Sequence, residues 1–417
     1  MNRESFPALA CAVGAAALLS IAFDAAAETT SRDWPQFRGA RRDGQSTETG
    51  LLDAWPEGGP RQVWRQPIGE GYSEVVVVGN RLYTLYAKEV DGEAKEFAAA
   101  FDAASGNELW RVALGKRFDN EFGNGPRSTP TVDGDRMYVL NATGDFAALA
   151  LSDGKELWKV NLPQAFGSAQ PTFGFSTSAL VDGDQVVFEA GGPEGKSYVA
   201  LERASGKTKW TVGTGGREPG YNSALAVDLG GGPRYVYIAG GKLVGLDRSG
   251  KEVWSQAWPR GESHAMPVFV APDRIFASGA EGVGATLFRI KDDGSTATVE
   301  ELWKQPAMRN HFSSSIVRDG HVYGFDNATL KCIKLEDGSL AWAKRGLGKG
   351  ALAYADGRLL VLSDQGRLSL VEASPEGYVE SGSVQALEGR CWTAPTVAGG
   401  RVYLRNHAEM VAYDLRG

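Results

Sequence analysis

The sequence predicts an all-β fold, an eight-bladed β-propeller of four-stranded blades. Three features carry it: a recurring turn-and-tryptophan motif, the spacing of that motif, and a chain start that supplies what the chain end lacks. The motif is clearest in LALSDGKELW, Leu149 to Trp158. Leu149 and Leu151 alternate with small or polar residues, the pattern of a half-buried strand. Ser152-Asp153-Gly154-Lys155 is turn chemistry, and Leu157-Trp158 opens the partner strand with a large apolar surface and one N–H donor. The motif recurs in FDAASGNELW to Trp110, LERASGKTKW to Trp210, LDRSGKEVW to Trp254, FRIKDDGSTATVEELW to Trp303 and IKLEDGSLAW to Trp342. Successive tryptophans lie 48, 52, 44, 49 and 39 residues apart. A period of roughly 40–50 residues built only of strands and turns is that of propeller blades.

Taken in order, the chain opens with a targeting pattern over residues 1–27. Arg3 precedes an apolar run from Phe6 to Phe23, and Ala25-Ala26-Ala27 offers small residues for cleavage. Cys11 lies inside that run, early for a lipid-attachment cysteine, so a free soluble form is preferred and a lipoprotein is the alternative. A lead segment, 28–60, follows, with Trp34, Pro35 and Phe37 of DWPQFRGARRDGQS expected to anchor it. The propeller then spans 61–417. Blade one runs from about Gly71 to Trp110, blade two from Arg127 to Trp158, blade three from Phe175 to Trp210 and blade four from Tyr221 to Trp254. Blade five is His264 to Trp303 and blade six Phe312 to Trp342. Blade seven, Gly350 to about Glu380, lacks a tryptophan, and Val379 is expected at that position. The last blade has strands at Arg401–Arg405 and Met410–Asp414 but no fourth strand. RQVWR around Trp64 is a strand without a preceding motif, so it is expected to complete blade eight and close the ring, removing exposed sheet edges. Each blade begins with a small, Ser/Thr-rich strand suited to a crowded central channel.

The net charge of −7 argues against a nucleic-acid partner. No second hydrophobic span follows the leader, so the mature chain is expected to be exported to the periplasm or beyond, without a membrane span and as a monomer. Beyond the leader only Cys332 and Cys391 remain, in different repeats and without metal-ligand spacing; they read as buried free thiols, with a disulfide the alternative in an oxidising compartment.

Propeller ligands bind where one loop per blade converges on a channel mouth. The residues just before each inner strand are Tyr72 and Glu74, Arg127, Phe175, Tyr221 with Asn222, His264, Asn310 with His311, Lys349, and Arg390 with Trp392. This reads as a polar and aromatic funnel of the convergent kind that binds small ligands or a protein partner. His264 and His311 come from neighbouring blades with no local metal spacing and are not assigned to a metal. The chain has no HExxH, GxSxG or GxxxxGK[ST].

The repeats FDAASGNELW and LALSDGKELW, with GPRSTPTVDGDRMYVL and RGLGKGALAYADGRL, resemble those of the PQQ-binding-like β-propeller superfamily. That superfamily holds pyrroloquinoline-quinone (PQQ) alcohol dehydrogenases and a non-enzymatic lipoprotein of outer-membrane β-barrel assembly. The resemblance implies two functions: a non-catalytic binding or scaffold protein acting through its funnel or rim, or a periplasmic quinone-dependent alcohol-type oxidoreductase with an altered site. The second would need PQQ and Ca²⁺. Glu74 and Asn222 could then supply oxygens, Arg127, Lys349 or Arg390 could pair with cofactor carboxylates, and Trp392 could stack on the ring. The dehydrogenases' adjacent cysteine pair, haem-attachment CxxCH and an Asp base are missing from the ring. The scaffold function is therefore preferred and no cofactor is assigned.

Overall fold

The structure is a computed structural model that describes Met1 and residues 32–213, 220–259, 263–280 and 282–417. The leader expected over 1–27 lies, after Met1, outside the described residues. Among the described residues there are eight four-stranded antiparallel sheets. Seven use consecutive strands, as in blade two: Thr131–Asp133, Arg136–Leu140, Asp145–Ala150 and Glu156–Asn161. The eighth joins Thr396–Ala398, Arg401–Arg405 and Glu409–Asp414 to Gln62–Pro67 from the chain start. Gln62 pairs with Tyr413 and Trp64 with Ala412, so the ring closes between the two ends as the sequence predicts. No helix among the described residues is long and apolar enough to cross a membrane. Cys332 and Cys391 are free and buried.

The motif's chemistry is explained by what it touches in the next blade. The indole N–H of Trp64 donates to Ala103 O at 3.0 Å, Trp158 to Arg203 O at 3.1 Å and Trp210 to Arg248 O at 3.1 Å. Trp303 donates to Leu335 O and Trp342 to Ser374 O, both at 2.8 Å. Each acceptor lies in the outer turn of the following blade. The glycine of that turn lies against the same ring. A Cβ on Gly206, where φ is +71°, would stand 2.7 Å from the Trp158 ring, and one on Gly106 would stand 2.6 Å from Trp64. The motif's Gly and Trp therefore meet across a blade boundary, not within their own hairpin. The turn itself is held by its acid: Asp102 Oδ1 accepts from the Ala104 and Ser105 N–H groups at 3.0 and 2.8 Å.

The inner strands are joined in a second way. Glu74 N–H donates to Thr129 Oγ1 at 3.0 Å, Thr129 N–H to Ser178 Oγ at 2.9 Å, and Ser178 N–H to Ser223 Oγ at 2.8 Å. Met266 N–H donates to Ser314 Oγ at 3.0 Å, and Thr396 Oγ1 to Val75 O at 2.7 Å. Small hydroxyl residues thus fit the narrow centre and also satisfy the backbone of the neighbouring blade.

Blade seven corrects one expectation. Val379 precedes the outer strand, Glu380–Gln385, and is 46% exposed. The register gives the tryptophan position to Gly382, opposite Leu370, as Trp342 stands opposite Cys332 in blade six. The bulky group comes instead from the lead segment. Trp55 is buried, its backbone N–H donates to Ser381 O at 3.0 Å, and a Cβ on Gly382 would lie 2.7 Å from Trp55 Cβ.

The rest of the lead segment plugs the channel. Trp34 bridges to Val77 in the inner strand of blade one, and Gln45 bridges to Tyr354 in that of blade seven. Between them the chain turns beneath the funnel. Arg38 Nη2 donates to Ser315 O at 2.8 Å and Nη1 to Ser314 O at 3.3 Å. Arg42 Nη1 donates to Ala224 O at 2.9 Å and Ser178 O at 3.2 Å, and its Nη2 to Ala179 O. Burial holds both guanidinium pKa values down, Arg42 to about 10, with the nearby carboxyl and phenol groups opposing. Two buried cations thus tie the plug to carbonyls of blades three, four and six.

Two substitutions separate the interblade contact from backbone strain. Gly357 has φ +76° with open space around it, so Gly357→Ala should cost about 1–2 kcal/mol, the left-handed backbone penalty alone. Gly206→Ala should cost about 1–3 kcal/mol more, by overpacking Trp158. Denaturant unfolding of the two variants measures the difference, and equal losses would contradict the contact.

Candidate functional site

The loops entering the inner strands converge on a pocket of about 320 Å³ above the plug. Of the residues singled out from the sequence, Tyr72, Glu74, Arg127, Tyr221, His264, His311, Lys349 and Trp392 line it. Arg390 stands at its edge, its guanidinium 4.5 Å from the Trp392 ring centre and its Nη1 donating to Phe122 O at 2.6 Å. Three others are placed differently. Phe175 is fully buried in the core between blades two and three, packed with Phe146, Leu162 and Phe188. Asn310 is a strut: its Oδ1 accepts from Ser278 and Ser315 at 2.5 and 2.7 Å, and its Nδ2 donates to Phe325 O at 3.0 Å. Asn222 is buried, with Nδ2 donating to Ser263 O, and does not line the pocket.

Phe37 and Arg38 from the plug, Phe122 and Phe173 from the long loops, and Phe312 complete the lining. The rings form a closed collar. Trp392 stacks on Tyr72 at 5.7 Å and 21°, and Tyr72 reaches Phe122 by donating its hydroxyl to the Phe122 carbonyl. Phe122 meets Phe173 edge-on at 5.7 Å, Phe173 meets Tyr221 at 5.5 Å, and Tyr221 meets His264 at 4.8 Å. His264 to His311 is 5.6 Å, His311 to Phe312 5.4 Å, and Phe312 returns to Trp392 at 4.8 Å. Edge-to-face and offset pairs at these separations are mutually favourable, so the collar is preorganised.

Electrostatics differ between floor and wall. Glu74 is buried, accepts the Arg38 N–H at 2.9 Å, and has its pKa pushed up to about 7 by burial; that bond and the Arg38 and Arg42 charges oppose the rise. Arg127 gives its guanidinium to backbone carbonyls, Phe173 O at 2.7 Å, Gly123 O at 2.6 Å and Gly125 O, and also stacks over Tyr72 and Phe118 at 5.5 and 4.8 Å. Burial, then His311, lowers His264 to about 4, leaving a neutral imidazole at pH 7. His264 Nε2 and Ser176 Oγ are buried without a hydrogen-bond partner among the described residues.

The calcium set suggested by the resemblance is not assembled. Glu74 is committed to the plug and Asn222 stands off the pocket. No group of three or more His, Cys, Asp and Glu among the described residues is placed to hold a metal. These residues do not fit a Ca²⁺–quinone cofactor.

Glu74 gives a pH test. A carboxyl raised from 4.5 to about 7 keeps a proton in the folded state that the unfolded chain releases. Its contribution to stability is therefore full below about pH 4.5 and is lost as pH rises to 7. Glu74→Gln should make the decline in Tm between pH 5 and 8 shallower, with the remainder due to Glu96 and Glu189, which burial raises to about 7 and about 8. An unchanged profile would place the titration elsewhere.

Comparisons with known proteins agree with this architecture. The profile of the family described as outer membrane protein assembly factor BamB matches residues 94–344. BamB of Shewanella oneidensis is 23% identical over 349 residues, 76% of this chain and 79% of that protein. The crystal structure of BamB from Moraxella catarrhalis superposes with a TM-score of 0.58 at 16% identity, covering 84% of this chain and 97% of that one. The quinohemoprotein alcohol dehydrogenase of Comamonas testosteroni also gives 0.58, at 12% identity over 93% of this chain and 81% of its own, a likeness of fold alone. The chain belongs to the family of the outer membrane protein assembly factor BamB, a family of propellers built from PQQ-like repeats.

Proposed function

We propose that this protein is an exported, non-catalytic propeller that serves outer-membrane protein assembly as a scaffold, binding a protein partner through the funnel face or the rim. The observation that carries the reading is the plug. It places Arg38 and Arg42 across the channel, where their charges are absorbed by backbone carbonyls, and it ties Glu74 to a backbone N–H. A catalytic centre on that axis would need a free base or a set of metal-binding oxygens, and the same groups are engaged in holding the fold. Family membership supports the assembly role, since the relatives bear the name of an assembly factor. A preformed ring with eight blades offers a rigid surface whose entropy is already lost before a partner arrives.

The test has two parts. Affinity-tagged protein, crosslinked in cells, should co-purify with components of the outer-membrane assembly machinery, and its deletion should lower the amount of folded β-barrel protein in the outer membrane. Purified protein mixed with PQQ and Ca²⁺ should give no dye-linked alcohol oxidation. Turnover in the second assay, with no partner in the first, would overturn the scaffold reading in favour of a quinoprotein.

A further inference from the structure

The collar offers more than a scaffold needs. Its rings surround a pocket whose floor is the plug, and a volume of about 320 Å³ lies at the small end of ligand cavities. Aromatic faces and edges at close spacing favour a flat, apolar guest. The charge pattern narrows the class. Among the described lining residues the charged side chains are Arg38, Arg127, Lys349 and Glu74. Arg38 and Arg127 are engaged with backbone carbonyls, and Glu74 lies against the plug's backbone. The Lys349 backbone N–H bonds to Asp364 at 3.2 Å, while its ammonium has no hydrogen-bond or ion-pair partner among the described residues. Lys349 leads into blade seven, and Arg390, over the Trp392 face, leads into the adjacent blade eight; its Nη1 is held by Phe122 O, while its Nη2 and Nε have no hydrogen-bond partner among the described residues. A cationic guest would meet two like charges, and a neutral one would forgo pairing with the half-buried Lys349 ammonium. Ser176 Oγ and His264 Nε2, both unpartnered, add polar contacts inside the collar.

We propose that the funnel binds a small planar aromatic carboxylate, its ring held in the collar against Trp392 and its carboxylate paired with Lys349 and Arg390. This ligand site goes beyond the scaffold reading and does not depend on it. Co-purification with the assembly machinery and ligand titration are separate measurements, and either can fail alone.

The test is calorimetric titration of the purified protein with three compounds of matched shape: indole-3-propionate, indole-3-propionamide and tryptamine. The carboxylate should bind saturably and at least about tenfold more tightly than the amine, the ratio that about 1.4 kcal/mol of charge pairing gives. Lys349→Met should erase most of that preference. Trp392→Ala should weaken all binding while circular dichroism and Tm report an intact propeller. Tryptamine binding as tightly as the carboxylate, no saturable heat from any of the three at millimolar concentration, or affinities unmoved by both variants would each overturn the proposal. Ca²⁺-dependent binding of PQQ with no binding of indole-3-propionate would overturn it in favour of the quinone.

Discussion

One contact sustains the ring: an indole from one blade lying on the glycine of the next blade's outer turn, with its N–H on that turn's carbonyl. A single blade has two apolar faces and cannot bury either alone. The indole covers area and also fixes orientation through its directional donor. Because the contact passes forward from blade to blade, it must end where it began. Trp64 makes it from blade eight to blade one. Among the described residues the Trp110 and Trp254 indole N–H groups have no partner. Trp110 still lies against Gly154 of the next blade, whereas Trp254 packs against Gly245 of its own, where the turn of blade five is longer. The ring tolerates such lapses because the inner hydroxyl-to-backbone bonds join neighbouring blades independently.

Most of the fold was legible because its determinants are local and repeat. The turn glycine, the acid that binds its N–H groups and the tryptophan occupy one short window, so the period could be read directly and the blades numbered. Closure was legible because Trp64 lacked a partner motif and the chain end lacked a strand. The funnel was legible only in part. Loop residues have no period to set their direction, so Phe175 was expected in the funnel while Phe173 is the residue that lines it. Gly174 between them, at φ +81°, reverses the chain and sends the two rings to opposite sides. Asn310 and Asn222 sit next to true lining residues but turn inward to satisfy buried polar groups. Arg38, Arg42 and Trp55 carried no local signal. Their partners lie hundreds of residues away or in other blades. A tryptophan in the lead segment and a missing one in blade seven were both visible, and only the structure joins them.

The plug also changes what the centre of the molecule can do. An open channel would expose carbonyls of the inner strands to water. Two arginines bind them instead, at the cost of burying two cations, which burial disfavours. The result is a floor of plug residues, Phe37 and Arg38, under an aromatic collar. The same Ser/Thr-rich strands that hold the blades together therefore also present the plug with its acceptors.

The seating of Trp55 on Gly382 and the pairing of Gln62 with Tyr413 bind the start of the described chain to its last two blades. A polypeptide delivered end-first has blades one to six able to form as they appear, while its opening stretch waits without a seat. Circularisation is then a late, long-range step with a loop entropy to overcome, and the interval before it is when the unpaired Gln62–Pro67 strand is open to other strands. A chaperone acting on this protein would have most to protect at that seam.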